Sequence, residues 1–314
     1  IRDRKFVLAG DGVAVVTAQW EGFFVADFSD PQSPQVHGPF DTPWRASGGL
    51  VEGQNLYLAD YGGVGVYSLS TPSSPSQMGY LDFLLSIPSD VALYASGGAA
   101  YAVVADQVKG LKVFDASDPQ NPSLAGSLPL EGGWWAESVE VLGDRAYLYA
   151  DNPQGEAKLV EVDISNPSSP KVLGEARGPL RGIYEVDSAG EFVFVRAIEG
   201  ISVYRRSPLS KVADIAVESP IGMALMESGG KIYLFVAHWR QNVAALTAFD
   251  ATDPSNPQQL AQLTFEGTSL DDCDTFGNYL ALAFSGMGDS GALGVFDVSD
   301  PGSIEQVGSV QVNR

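Results

Sequence analysis

LKVFDASDPQNP, residues Leu111–Pro122, decides the architecture of this chain. An apolar run of β-type ends on Asp115 and turns through Ser-Asp-Pro. The phrase returns as FFVADFSDPQSP at Phe23–Pro34, KLVEVDISNPSSP at Lys158–Pro170, LTAFDATDPSNP at Leu246–Pro257 and LGVFDVSDP at Leu293–Pro301. Two worn copies lie at Val64–Pro75 and Ile201–Pro208. The first prolines, Pro31, Pro72, Pro119, Pro167, Pro208, Pro254 and Pro301, are 41–48 residues apart and account for nearly all of the 314 residues. A unit of that length with several short strands signals a propeller or a solenoid.

Each unit reads as four strands. In the second these are Ser47–Glu52, Leu56–Ala59, Val64–Leu69 and Gln77–Leu81; the fourth repeats the order with Ser138–Leu142, Ala146–Ala150, Lys158–Ile164 and Lys171–Glu175. No segment sustains a helical 3.6-residue period, and β-branched and aromatic residues fill the runs. The expected fold is all-β, a seven-bladed β-propeller with four antiparallel strands per blade. A β-solenoid favours shorter units, and paired sandwiches would not repeat seven times. One domain, 1–314, is expected, with blades at about 4–41, 42–84, 85–130, 131–177, 178–218, 219–266 and 267–312. The first strand, Arg4–Ala9, reads as an inner one and the last, Glu305–Val310, as an outer one. Closure is therefore expected by packing of the first blade on the seventh, without exchange of a strand.

The Asp-x-Ser-Asp-Pro phrase has a local explanation. Asp and Ser side chains accept backbone N–H groups two residues on, and Pro presets φ at the corner of a turn. Calcium needs six to eight oxygens, and one such phrase per loop supplies too few.

The phrase, preceded by Tyr-Leu-Ala-Asp as at Tyr57–Asp60 and followed by Asp41-Thr42-Pro43 before the next unit, resembles the LVIVD repeat. The resemblance covers residues 4–312, with units one, three, four, six and seven the clearest. Unit five departs most, carrying Tyr204-Arg205-Arg206-Ser207 in place of the phrase and Lys211 in place of the second proline. The resemblance implies a propeller that is exported or on the cell surface of a bacterium or archaeon. It implies no activity and carries over no catalytic residue.

Composition narrows the partners. A formal charge of −21 argues against nucleic acid and anionic membranes, which require a basic surface. Lys171, Arg177, Arg181, Arg196, Arg205, Arg206 and Lys211 form a weakly basic sector on this acidic body. No apolar run reaches the roughly 18–20 residues of a membrane span, so no membrane insertion of this chain is expected. The lone Cys273 permits neither an intrachain disulfide nor a CxxC site. The chain begins at Ile1 rather than Met, from which a processed or trimmed chain is expected; the location expected, extracellular, periplasmic or at the cell surface, is what the resemblance implies.

With strands a to d running outward, the c–d loops occupy one face, and the b–c and d–a connections the other. All five tryptophans fall in or beside those latter connections: Trp20 and Trp239 in b–c, Trp44, Trp134 and Trp135 in d–a. Arg45, Glu137, His238 and Arg240 accompany them. Variable b–c loops, long at Ala150–Ala157, His238–Val243 and Ser285–Ala292, add to the case for function there. Tryptophan wedged between blades is the ordinary alternative. Trp with Arg is also the composition of interface hot spots, and Trp beside carboxylates can stack on sugars. The expected function is thus a non-catalytic propeller binding a protein or glycan through a face that comprises Trp20, Trp44, Arg45, Trp134, Trp135, Glu137, His238, Trp239 and Arg240. No cofactor and no catalytic residue are expected. The alternatives are a glycan lyase or hydrolase using acids and His238 at the channel mouth, and a purely structural envelope module. Asp271, Asp272 and Asp274, read as part of the seventh d–a connection, are candidates for a hard-cation site together with Glu137 or Asp90.

Overall fold

The computed structural model describes residues 7–10, 12–83, 86–178, 185–241, 243–285 and 290–313. Within them the chain forms seven four-stranded antiparallel sheets arranged in a ring. The first blade holds β1 (Val7–Gly10), β2 (Val13–Thr17), β3 (Phe23–Asp27) and β4 (Gln35–Phe40). The second holds β5 (Ala46–Glu52), β6 (Asn55–Asp60), β7 (Gly63–Ser68) and β8 (Ser76–Asp82). In the third are β9 (Pro88–Ser96), β10 (Ala99–Asp106), β11 (Gly110–Asp115) and β12 (Ser123–Leu128), and in the fourth β13 (Trp135–Leu142), β14 (Arg145–Asp151), β15 (Ala157–Asp163) and β16 (Lys171–Gly178). The fifth comprises β17 (Glu185–Ala189), β18 (Phe192–Ala197), β19 (Gly200–Arg205) and β20 (Ser210–Ile215). The sixth comprises β21 (Pro220–Ser228), β22 (Lys231–Arg240), β23 (Val243–Asp250) and β24 (Gln258–Phe265). The seventh closes the ring with β25 (Ser269–Phe276), β26 (Tyr279–Ser285), β27 (Ser290–Asp297) and β28 (Glu305–Asn313).

Blade packing explains why the middle strands read as unbroken apolar runs. A blade has two faces and a neighbour covers each, so β2 is buried at every position and β6 from Leu56 onward. Outer strands such as β4 have little above them and alternate between exposed and half-buried. The core is accordingly a set of interblade layers. One joins Phe235, Leu246, Leu280 and Phe296 across blades six and seven, and another joins Val16, Phe24, Leu293 and Val295 across blades seven and one.

Among the described residues no strand is exchanged at the closure: β1–β4 and β25–β28 are separate sheets in face contact. The expected inner strand Arg4–Ala9 is described from Val7, and its first residues lie outside the described part. The Ala9 N–H donates to Asp274 Oδ2 of blade seven at 2.8 Å, fastening the seam at the channel.

The Asp-x-Ser-Asp-Pro turns behave as their chemistry requires. Asp27, Asp115, Asp163, Asp250 and Asp297 end the third strand of their blades, and each Oδ1 accepts the N–H two residues on at 2.8–3.2 Å. The second acid of the phrase, or Asn166 in its place, repeats the arrangement at 3.0–3.2 Å. Backbone and hydroxyl donors hold Asp115, Asp163 and Asp297 below the usual carboxylate range.

These turns also reach the preceding blade. The Pro119 carbonyl lies where a Cβ on Gly79 of β8 would be, Pro167 stands likewise over Gly126 of β12, and Pro31 over Gly308 of β28. The last contact joins blade one to blade seven at the rim. Blade five, whose phrase is lost, is different. Gly174 of β16 has only Leu209 Cβ near its missing side chain, at an ordinary 3.8 Å, and Ser207 donates instead to the buried Glu161 of blade four at 2.6 Å.

This contrast supplies a paired test. Gly126→Ala should destabilise the protein by about 1–3 kcal/mol, because the new methyl meets backbone that must move. Gly174→Ala should be neutral or stabilising by up to about 1 kcal/mol, since only unfolded-state freedom changes. Urea unfolding of both variants checks the difference; equal losses would remove the special status of the Gly126 contact.

Candidate functional site

Antiparallel order puts the b–c and d–a connections on one face, and there the tryptophans separate into two groups. Trp20, Trp44 and Trp135 are exposed, at 71%, 55% and 44%. Trp134 is buried and Trp239 half-buried.

Trp20 sits on a single 3-10 turn, Gln19–Glu21, closed by the Ala18 N–H donating to the Gly22 carbonyl at 2.7 Å. Gly22 has φ +83°, a conformation glycine adopts without strain. The turn touches β5, beside the connection that bears Trp44. Trp44 is placed by its neighbours: the Thr42 hydroxyl donates to its carbonyl at 2.6 Å, and its indole lies across Gly62 where a Cβ would overlap it. Arg45 continues the patch, with Nη1 donating to the Tyr61 hydroxyl at 3.0 Å and the guanidinium 5.2 Å from that ring centre. Beneath, Asp60 accepts the Tyr80 hydroxyl at 2.6 Å and the Gly62 N–H at 3.2 Å, and burial raises its pKa. Trp135 opens β13, opposite Asp151.

Several expected members stand elsewhere. Trp134 does not belong to an exposed face; its ring lies under Lys158 Nζ at 4.7 Å and the Arg177 guanidinium at 5.6 Å, a cation–π arrangement. Lys158 is nearly buried and pairs with Glu175 at 2.7 Å, so this Trp braces the blade. Trp239 lies within β22, not in a loop, and packs on the core layer between blades six and seven. The expected long loop at His238–Val243 is a tight hairpin, because β22 runs to Arg240 and β23 begins at Val243.

His238 is not at the channel mouth. It is buried in β22, its Nε2 2.8 Å from the Thr247 hydroxyl, which also accepts from Gln262 Nε2 at 2.8 Å. Arg240 Nη1 donates to Gln262 Oε1 at 2.7 Å. These residues line a cleft of about 190 Å³ with Glu218 and Gln259, apart from the channel cavity. Burial lowers the His238 pKa and keeps the ring neutral at pH 7. A catalytic arrangement of His238 with the channel acids is therefore not formed.

Asp271, Asp272 and Asp274 belong to the inner strand β25 and not to a connection. Asp274 is occupied by the Ala9 and Thr275 amides, and Asp271 by the Ser285 hydroxyl at 3.0 Å. Among the described residues no three carboxylate, His or Cys side chains gather as metal ligands. Asp90 likewise accepts the Val139 N–H and the Ser138 hydroxyl of the next blade at 3.1 and 2.9 Å. Glu137 accepts Gln107 Nε2 at 2.9 Å.

Sequence reasoning placed Asp90, Glu137, Asp272 and Asp274 near the channel but missed Glu140, Glu185 and Asp187. A cavity of about 360 Å³ is lined by inner strands of six blades. Glu140, Glu185 and Asp187 project into it beside Asp90, Glu137, Asp272 and Asp274, with Arg196 of β18 at its wall. A signal was available: Glu140, Asp187 and Asp274 each precede their turn glycine, Gly143, Gly190 or Gly277, by three residues.

The LVIVD repeat pattern matches residues 11–42, 89–129 and 135–176. Similar solved structures share the fold at low identity. A protein from Lactobacillus plantarum is 11% identical over 95% of this chain and 99% of its own, with a TM-score of 0.72. A putative 6-phosphogluconolactonase from Bacteroides fragilis is 12% identical over 96% and 98%, at 0.67. The Cps50 (Swd1) β-propeller domain of Myceliophteria thermophila is 11% identical over 90% and 93%, at 0.66. No curated protein matches the sequence.

The Trp44–Gly62 contact predicts that Gly62→Ala displaces the indole from its seat. The variant should gain acrylamide quenching of Trp fluorescence, and the gain should vanish in the Trp44→Ala background.

Proposed function

The chain is a seven-bladed β-propeller carrying LVIVD repeats, and from that premise we propose that it is a non-catalytic binding scaffold. Its recognition surface is the face of the b–c and d–a connections, and its partner is a protein. The observation that carries this reading is the exposure of Trp20, Trp44 and Trp135 together on that face. A large apolar ring left in water forgoes roughly 25 cal/mol per Å², and a group of them on one surface marks a place that a partner covers. Arg45 and Tyr61 extend the Trp44 patch with the residue types that concentrate interface energy. The neighbouring propellers include a lactonase-like protein and a Swd1 domain, so the fold alone selects no role. Following the repeat's resemblance, the scaffold works in the envelope or extracellular space, which protease accessibility on intact cells would test.

Partners captured from the native source are to be titrated against the wild type and against Trp44→Ala and Trp135→Ala. Loss of a buried central Trp costs on the order of 2 kcal/mol, so at least one variant should bind about thirtyfold more weakly. Unchanged affinity in both would overturn the assignment of this face. Binding of purified envelope glycans, with the same Trp dependence, would replace the protein partner by a sugar.

A further inference from the structure

Inner strands of a propeller do not pair with one another, so side chains must join them around the channel. Between blades four and five, Glu140 of β13 does this through Ser188 of β17, and the adjacent Asp187 is fixed against the same serine. Ser188 donates its N–H to Asp187 Oδ1 at 2.6 Å and its hydroxyl to Glu140 Oε1 at 2.9 Å. Asp187 also accepts the Leu225 N–H of blade six, and Glu140 accepts that of Val141. Two acids are thereby held against one serine in a narrow cavity of the same sign.

We infer that Glu140 and Asp187 form a proton-holding latch between blades four and five, closed while the pair carries a proton and strained once both are ionised. A protonated carboxyl still accepts the Ser188 and Leu225 donors, so protonation removes repulsion without removing these bonds. Full ionisation leaves two like charges that water solvates poorly there.

The surroundings favour the protonated form. Asp90 of β9, Glu137 of β13, Glu185 of β17 and Asp272 and Asp274 of β25 face the same cavity. Arg196 is the one basic side chain among the described residues lining it, and its Nε bonds Glu185 at 2.8 Å. Cys273 is a buried thiol whose pKa is pushed up. The nearest acid of β21, Glu227, accepts the Gly190 N–H at the turn. Burial first, then the neighbouring Asp187 charge, lifts Glu140 well above the carboxylate range, and burial raises Asp187 to about 7. Unfolded carboxyls titrate near 4, so the folded protein binds more protons between about pH 4 and 7. Linkage then makes it more stable at pH 5 than at pH 8, the advantage being lost as pH rises through 7.

Thermal unfolding from pH 5 to 8, for the wild type, Glu140→Gln, Asp187→Asn and the double variant, tests the latch. The wild-type Tm should fall across the range. Each single variant should fall less steeply, with proton release on unfolding near pH 6 smaller by about one, and the double should fall least steeply, because burial raises Asp187 whether or not Glu140 is present. Asp118→Asn, a surface control whose carboxyl is held below the usual range, should keep the wild-type slope. Carboxyl ¹³C titration of the wild type gives a readout independent of the variants, with a midpoint above pH 6 expected at Glu140 or Asp187. Wild-type slopes in both single variants, or midpoints below pH 5 at both carbons, would overturn the proposal.

Discussion

Blade spacing rests in part on a backbone carbonyl meeting a residue that has no side chain. At the rim the carbonyl of a turn proline rests on the outer-strand glycine of the preceding blade, at Pro119 over Gly79, Pro167 over Gly126 and Pro31 over Gly308. Neighbouring sheets share no strand and no ladder hydrogen bonds, so their separation is set by what lies between them. Apolar layers supply attraction without direction; a contact that tolerates no Cβ sets distance and rotation. This gives the Ser-Asp-Pro phrase a second role: it stops the third strand, and it is also the part that touches the preceding sheet. Gly79 and Gly126 each lie four residues beyond the second proline of a phrase, and in strand register Ala213 and Ala261 hold the matching small position in blades five and six.

At the channel the same separation is maintained by different chemistry. Asp90, Glu140, Glu185 and Asp274 each accept a donor from the following blade. Ser47 donates to the Pro88 carbonyl and Ser89 to that of Ala136, adding neutral links of the same kind. The rim's backbone contacts carry no titrating group of their own, although ionised aspartates hold the turns that make them, whereas the hub is built on buried carboxylates. Turn aspartates such as Asp163 are held below the usual range, so their stabilising share is present above about pH 4 and lost as pH falls through their folded values. Asp90 and Asp274, raised to about 7 mainly by burial, act with the opposite sign. Acidification to pH 5 therefore relaxes the hub before it weakens the turns.

The candidate binding face is independent of both devices. Trp20 and Trp44 stand on connections whose backbone is fixed locally, by Gly22 and by Thr42 and Gly62. Such groups can be presented to a partner without disturbing blade packing, which is how loops on a rigid scaffold acquire binding roles. Trp134 shows the alternative use of the same residue type, one position from the exposed Trp135. Its neighbours Lys158 and Arg177 come from the third and fourth strands of its own blade, and their charges need its ring and Glu175.

What the sequence by itself determined was everything with a short range. Repeat length, the run of buried strands, the Asp-capped turns and the phase that places β1 inside and β28 outside follow from residues near one another in the chain. The place of Trp20, Trp44 and Trp135 on one face follows too, because antiparallel order decides it. Only the tertiary structure decided which side chains face water. Trp134, just before β13, is buried under Lys158 and Arg177 while Trp135, the first residue of that strand, is exposed, and His238 meets Thr247 within β22 and β23, which run past the loop expected there. Glu140 and Asp187, like Asp90 and Glu137, lie 47 residues apart in sequence, and the channel carboxylates acquire their chemistry only when closure brings them to one axis. Burial and mutual charge are properties of the assembled ring. No single blade contains them.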